Sequence, residues 1–175
     1  VTAGIKASGR PDLALVVNTG PDKVCAAVYT SNRFQAAPVL WSKGVTASGV
    51  LDAVVLNSGG ANACTGADGL ADSKATAQLV ASAIGTTPDR VAVCSTGLIG
   101  VRLPMHAITR GVSIAAETLD AQGGSDAAQA IMTTDTVPKT AVAEVAGSSA
   151  RVVGVAKGVG MIEPNMATMI AMFFT

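Results

Sequence analysis

The residues best suited to chemistry lie between Lys157 and Met169, where the sequence reads KGVGMIEPNMATM. This segment contains an Ala167–Thr168 pair. A threonine hydroxyl can attack the carbonyl of the preceding residue and move the acyl group from nitrogen to oxygen. Hydrolysis of that ester leaves Thr168 as a new N-terminus, and its α-amine, titrating near ~8, can act as general base for its own hydroxyl. The segment can therefore cleave itself and create an N-terminal nucleophile.

The residues before the Ala–Thr pair suit a distorted backbone. Gly158 and Gly160 permit angles closed to other residues, and Pro164 restricts Glu163. Backbone strain is often held at functional sites. Without further information, a Gly-Pro turn followed by an apolar strand is the simpler interpretation. Glu163 can tune the cleavage, although a solvated side chain is the more common role for such a residue.

Apolar runs separated by turn residues predict the elements that must position this segment. Strands are predicted at 13–18, 24–30, 52–57, 90–95, 141–145 and 151–156. Helices are predicted over 68–84, from Pro104 to about Ala115, and from Ser125 to near Met132. The terminal run MIAMFFT is predicted to be a strand that continues further. Since there is no linker or repeat, residues 1–175 are interpreted as one α/β unit.

The composition argues against several classes of protein. Charged residues make up 14% of the chain and the mean hydropathy is +0.47, which predicts apolar surface covered by a partner chain. No apolar run reaches the ~18 residues of a membrane helix, and there is no signal segment. The net charge is +0 and the basic residues are scattered, so nucleic-acid binding has no support. No membrane association is expected either.

The cysteines and the histidine do not form a recognisable metal site. Cys25, Cys64 and Cys94 are widely separated, which predicts reduced thiols in a cytoplasmic protein, and no metal is expected. His106 lies among apolar neighbours on a predicted helix and is interpreted as a structural or surface histidine. The loop 57–66 is rich in Gly and Asn but lacks the order of a phosphate-binding loop, so we interpret it as a packing loop near the site.

Five ordered stretches give the sequence a specific likeness to a known family. They are AGIKASG at 3–9, NSGGANACTG at 57–66, CSTGLIG at 94–100, IMTTDTVPK at 131–139 and KGVGMIEPNMATM at 157–169. Over nearly the whole chain the sequence resembles the bifunctional ornithine acetyltransferase / glutamate N-acetyltransferase family of arginine biosynthesis. The resemblance implies a layered α/β sandwich with two mixed sheets between helices. It also implies cleavage between Ala167 and Thr168, with residues 168–175 starting a β chain.

The resemblance also implies roles for individual residues. Thr168 would be the nucleophile, Thr96 and Gly97 the oxyanion hole, and Thr133, Lys157 and Thr168 substrate-binding residues. Taken by themselves, Thr96 and Gly97 suit an ordinary strand-to-loop turn. Lys157 alone suits a solvated surface lysine, and Thr133 a hydroxyl that satisfies the end of a helix.

The implied reaction moves the acetyl group of N2-acetyl-L-ornithine to L-glutamate through an acetyl-Thr168 intermediate. It requires no cofactor, and acetyl-CoA stays open as a co-substrate. The implied assembly is a cytoplasmic heterotetramer of two α and two β chains. Two alternatives remain at this point: a related self-activating aminopeptidase that hydrolyses the acyl-enzyme, and an uncleaved non-catalytic relative. The second is suggested because the chain runs past Ala167.

Overall fold

The computed structural model describes residues 1–160 and 169–175. In chain order these residues form β1 (Leu13–Val17), α1 (Ala37–Thr46), β2 (Ala53–Gly60), α2 (Gly66–Ile84), a 3₁₀ turn (Pro88–Arg90), β3 (Val91–Leu98), α3 (Met105–Glu117), α4 (Gly124–Ala130), β4 (Lys139–Glu144), β5 (Arg151–Lys157) and β6 (Ile170–Phe174). None of the helices within this described part is long and apolar enough to cross a membrane.

The first sheet has the strand order β1-β2-β3 and is mixed. β1 runs antiparallel to β2, while β3 runs parallel to it, with Leu56 opposite Cys94. A parallel neighbour requires a crossover, and α2 supplies it. This helix ends at Gly85, whose φ of 73° is the left-handed conformation that glycine adopts without strain.

The two faces of the first sheet are both covered. On one face, α2 and α3 bury Val55 of β2 together with Val80 and Ile108. On the opposite face, Leu56 packs against α4 and against Val155 of the second sheet. Apolar runs such as β2 and β3 are expected where strands lie between two layers.

The second sheet has the order β4-β5-β6, and both of its pairings are antiparallel. Its inner face carries Val155 against the first sheet, whereas β4 is exposed along its whole length. The predicted α/β sandwich of two sheets and helices is therefore confirmed. The first sheet is the mixed one.

One local prediction was wrong, and one helix was missed. The run 24–30 is not a strand, because it forms only an isolated bridge between Val24 and Val50 and leaves Val24 74% exposed. In the part of the chain that the structure describes, these apolar residues have no neighbouring strand to pair with. The helix α1 was not predicted, since Trp, Val, Thr and Gly44 have weak helix propensity. Tertiary contacts form it instead: the indole N–H of Trp41 donates to the carbonyl of Val91 at 3.0 Å.

The terminal run was predicted correctly as a strand, and it forms β6. The helices predicted at 68–84 and after Pro104 are confirmed as α2 and α3, and the short third helix as α4. Pro104 lies just before α3 rather than at its first position.

Candidate active site

Three of the predicted site residues meet where the two sheets join. Thr96 lies near the end of β3, Lys157 ends β5, and Thr133 follows α4. The Nζ atom of Lys157 donates to Thr96 Oγ1 at 3.0 Å and to Thr133 Oγ1 at 2.6 Å. Residues far apart in the sequence are thus joined by one ammonium group.

Lys157 is a buried lysine, with only 1% of its surface exposed. The interpretation of this residue as a solvated surface lysine is therefore wrong. Burial lowers the pKa of Lys157, the carboxylate of Asp135 raises it in part, and the nearby charge of Lys139 lowers it again. A buried ammonium group is tolerated only with polar partners, and the two threonine hydroxyls supply them.

The carboxylate of Asp135 accepts hydrogen bonds from backbone groups close to this ammonium. Its carboxylate accepts the backbone N–H of Gly158 at 2.9 Å and that of Thr133 at 3.3 Å, and it pairs with the Lys139 ammonium. Burial alone would raise the pKa of Asp135, but these hydrogen bonds outweigh it and lower the pKa to about 2. Asp135 was not predicted as a site residue, although it stands within the TTD of the 131–139 motif.

The ammonium fixes the direction of both hydroxyl groups. A protonated lysine donates three hydrogen bonds and accepts none, so Thr96 Oγ1 and Thr133 Oγ1 must act as acceptors toward Lys157. Each hydroxyl hydrogen is then directed toward another acceptor. A hydroxyl that already accepts from a cation is a stronger donor, because hydrogen bonds in a chain polarise one another. Thr96 can therefore stabilise negative charge that develops on a substrate oxygen.

Gly97 allows β2 and β3 to approach each other closely beside Thr96. Its φ is 132°, and a Cβ atom at this position would lie 2.4 Å from the backbone carbon of Gly59. No other residue fits there without moving a backbone. Asn57 adds to this contact by accepting a hydrogen bond from the Ser95 hydroxyl at 2.6 Å. The interpretation of 57–66 as a loop was wrong for its first four residues, which end β2 and pair with β3.

The N-terminal motif contributes a further positive charge. Asp12 is fully buried and accepts backbone N–H groups from Ala3, Gly4, Ile5 and Lys6, which folds the motif into a tight turn. The same turn rests on Gly59, where an added Cβ atom would lie 3.2 Å from Lys6 Cγ. Burial lowers the pKa of Lys6, and the charges of Arg10 and Lys157 contribute to that lowering. Lys6 was not predicted as a site residue.

Four further candidates lie outside the described residues: Ala167, Thr168, Glu163 and Pro164. The described chain resumes at Met169, and the next residue, Ile170, pairs with Lys157 across β5 and β6.

His106 is exposed on α3, in agreement with its interpretation as a surface histidine. All three cysteines are free thiols, and burial raises the pKa of Cys94 to about 11. Among residues 1–160 and 169–175, no three His, Cys, Asp or Glu side chains lie close enough to hold a metal ion.

Comparison with known proteins gives a consistent result. The chain matches the model of the ArgJ family over residues 1–175. It is 58% identical to the arginine biosynthesis bifunctional protein ArgJ of Streptomyces coelicolor, over all of this chain and 45% of that protein. The chain therefore spans less than half the length of this curated relative.

Two solved structures share the fold. The crystal structure of ornithine acetyltransferase from Mycobacterium tuberculosis, complexed with ornithine, superposes with a TM-score of 0.91 at 52% identity, covering 94% of this chain and 89% of that one. The arginine biosynthesis bifunctional protein argJ of Bacillus halodurans gives a TM-score of 0.84 at 41% identity, with 97% and 88% covered. The chain belongs to the ArgJ family.

Proposed function

We propose that the protein to which this chain belongs is an acetyltransferase of arginine biosynthesis. It moves the acetyl group of N2-acetyl-L-ornithine to L-glutamate after cleaving itself between Ala167 and Thr168. The Streptomyces coelicolor relative is named as an arginine biosynthesis bifunctional protein, and the Mycobacterium tuberculosis relative as an ornithine acetyltransferase. Both names support the proposed reaction class.

The observation that carries the proposal is the convergence of Thr96, Thr133 and Lys157. Within the described residues, this cluster offers hydrogen-bond donors, and the carboxylate of Asp135 is already paired. Acyl transfer passes through a tetrahedral oxyanion, and donors of this kind stabilise it. The positive charge also suits substrates that carry carboxylates, as acetylornithine and glutamate both do.

Thr168 supplies the nucleophile in this proposal. It precedes Ile170 by two residues in the sequence, and Ile170 pairs with Lys157, whose ammonium contacts Thr96 and Thr133. Its hydroxyl attacks the acetyl carbonyl and passes its proton to its own α-amine, and ornithine leaves with that proton on its nitrogen. The amine of glutamate then attacks the acetyl ester, and Thr168 recovers its hydroxyl proton.

The lengths of the relatives support a division into two chains. The match covers 94% of this chain and 89% of the crystallised Mycobacterium tuberculosis chain, whereas the whole of this chain matches only 45% of the Streptomyces coelicolor protein. The crystallised chain is therefore about half as long as the curated protein. A precursor cut at Ala167–Thr168 would produce a chain of this kind, and we propose an assembly of two α and two β chains.

The test is an assay of the complete protein with acetylornithine, with and without glutamate. A transferase releases ornithine rapidly only when glutamate is present and forms acetylglutamate in equal amount. A hydrolase would release ornithine equally well in both reactions, which would contradict the proposal. A third reaction, with acetyl-CoA and glutamate alone, decides whether acetyl-CoA is also a donor. Thr168→Ala is the control, expected to stay uncut and inactive.

A further inference from the structure

We propose that Asp135 is a positioning residue of the acetyl-transfer site, and that its carboxylate orders Thr133 and the end of β5 around the ammonium of Lys157. The inference builds on the proposed function, since the site it orders is the one assigned to acetyl transfer. Asp135 itself touches no reacting atom in this scheme. It acts through Lys157 and Thr133.

The geometry of the carboxylate supports this role. One oxygen accepts the N–H of Gly158, the residue directly after Lys157, and the other accepts the N–H of Thr133. Gly158 directly follows Lys157, so these two hydrogen bonds hold the backbone beside Lys157 and at Thr133. The side chains of Lys157 and Thr133 meet at 2.6 Å. Only 1% of the Asp135 side chain is exposed, so the contacts are shielded from water. One carboxylate therefore sets the distance between a loop and a strand end.

Asp135 also opposes the other charges that act on Lys157. Asp135 lies in the loop between α4 and β4, and Lys139 is the first residue of β4. The charge of Lys157 also acts on Lys6 in the N-terminal turn. On β3, Cys94 stays neutral because burial raises its pKa to about 11. The sequence of β6, IAMFF, has no titratable side chain, and Asp126 of α4 is exposed. Among the described residues, Asp135 is thus the acid that favours the charged form of Lys157, while Lys139 opposes it.

The two partners of the ion pair should consequently act on Lys157 with opposite signs. Asp135→Asn removes a charge that raises the pKa of Lys157, so this lysine should lose its proton at lower pH. Lys139→Met removes a charge that lowers the pKa of Lys157, so the lysine should keep its proton to higher pH. Both variants break the same ion pair. A purely structural role would give them the same kind of defect.

The experiment measures kcat/KM for acetyl transfer against pH in the complete, cleaved protein. We expect the alkaline loss of activity to move to lower pH in Asp135→Asn, with a fall of about tenfold at neutral pH from the lost charge-assisted hydrogen bonds. In Lys139→Met the loss should move to higher pH. Asp52→Asn is the matched control, because it breaks the ion pair of another partly buried carboxylate with Arg90, away from the site. It should leave the profile unmoved.

A direct titration of Lys157 separates this inference from the proposed function. Lysine labelled with an NMR-active isotope at Cε reports the protonation of each side chain, and Lys157→Met identifies the signal. Opposite shifts in the two variants support the inference even if the wild type transfers no acetyl group. Unmoved signals, or shifts in one direction, overturn it, as does an activity profile that moves without the Lys157 signal. If Asp135→Asn does not fold, Lys139→Met alone decides by the direction of its shift.

Discussion

The two sheets of this chain are held in different ways, and the candidate site lies where they meet. The first sheet is covered on both faces, by α2 and α3 on one side and by α4 and the second sheet on the other. The second sheet buries only its inner face, and Phe173 on β6 is 72% exposed. Apolar packing therefore stabilises the first sheet far more than the second.

This difference explains how the site residues are positioned. Thr96 stands on a strand that close packing holds, with Gly97 and Gly59 in direct backbone contact beside it. Lys157 and Thr133 belong to the half-covered side, where polar contacts with Asp135 do the equivalent work. One site can thus combine a rigid donor from a packed sheet with a charge held by hydrogen bonds.

The largest effect should follow from removing the donor on the packed sheet. Thr96→Val keeps the shape of the side chain but deletes the hydroxyl that accepts from Lys157. We expect kcat for acetyl transfer to fall by about 10²–10³-fold, as for the loss of one oxyanion donor elsewhere. Thr96→Ser, which keeps the hydroxyl, should restore most of the rate. Equal activity of the valine and serine variants would remove Thr96 from the mechanism.

The next effect tests the packing of the first sheet. Leu56 is 1% exposed between the two sheets, and Leu56→Ala should lower the free energy of unfolding by about 3 kcal/mol through lost transfer energy and a residual cavity. Urea unfolding of the complete protein measures this loss. A change below about 1 kcal/mol would show that the two sheets do not pack as described.

Acid should reveal the polar support of the second sheet. The pKa of Asp135 is lowered from 3.8 to about 2, so the unfolded state binds more protons than the folded state between these values. The stabilisation, about 2 kcal/mol, is fully present above pH ~4 and is lost as the pH falls toward ~2. Unfolding midpoints of the wild type and Asp135→Asn should therefore converge over this range. Parallel curves would contradict the buried charge assigned to Asp135.

The smallest effect is expected on the exposed strand β4. Val142 is 62% exposed, and Val142→Thr should change the free energy of unfolding by less than about 0.5 kcal/mol. The variant serves as the surface counterpart of Leu56→Ala in the same urea titration. A loss as large as that of Leu56→Ala would show that β4 is covered in the complete protein.

The sequence allowed much of this architecture to be predicted, for identifiable reasons. The runs 13–18, 52–57 and 90–95 are apolar because their strands are buried on both faces, and such runs are visible without a structure. The run 24–30 has a similar composition but no neighbouring strand among residues 1–160 and 169–175, and local composition cannot show whether a neighbour exists. The helix α1 was missed because its stability comes from contacts with β3 rather than from its own propensity.

The site was predicted only in part. Thr96, Thr133 and Lys157 were named through resemblance to a family, and the structure brings their side chains together. Lys157 is buried by residues that are distant in the sequence, so its sequence neighbours alone predicted a surface position. Asp135 and Lys6 were missed for the same reason, since their partners lie in other elements of the fold.

In the proposed function, self-cleavage releases Thr168 as the nucleophile. The most direct test is an intact-mass spectrum of the protein expressed from its complete gene, recorded over time beside Thr168→Ala. Our account predicts two fragments that meet between Ala167 and Thr168 in the wild type and one uncut chain in the variant. A wild-type chain that stays uncut after long incubation, or a cut at another bond, would contradict it.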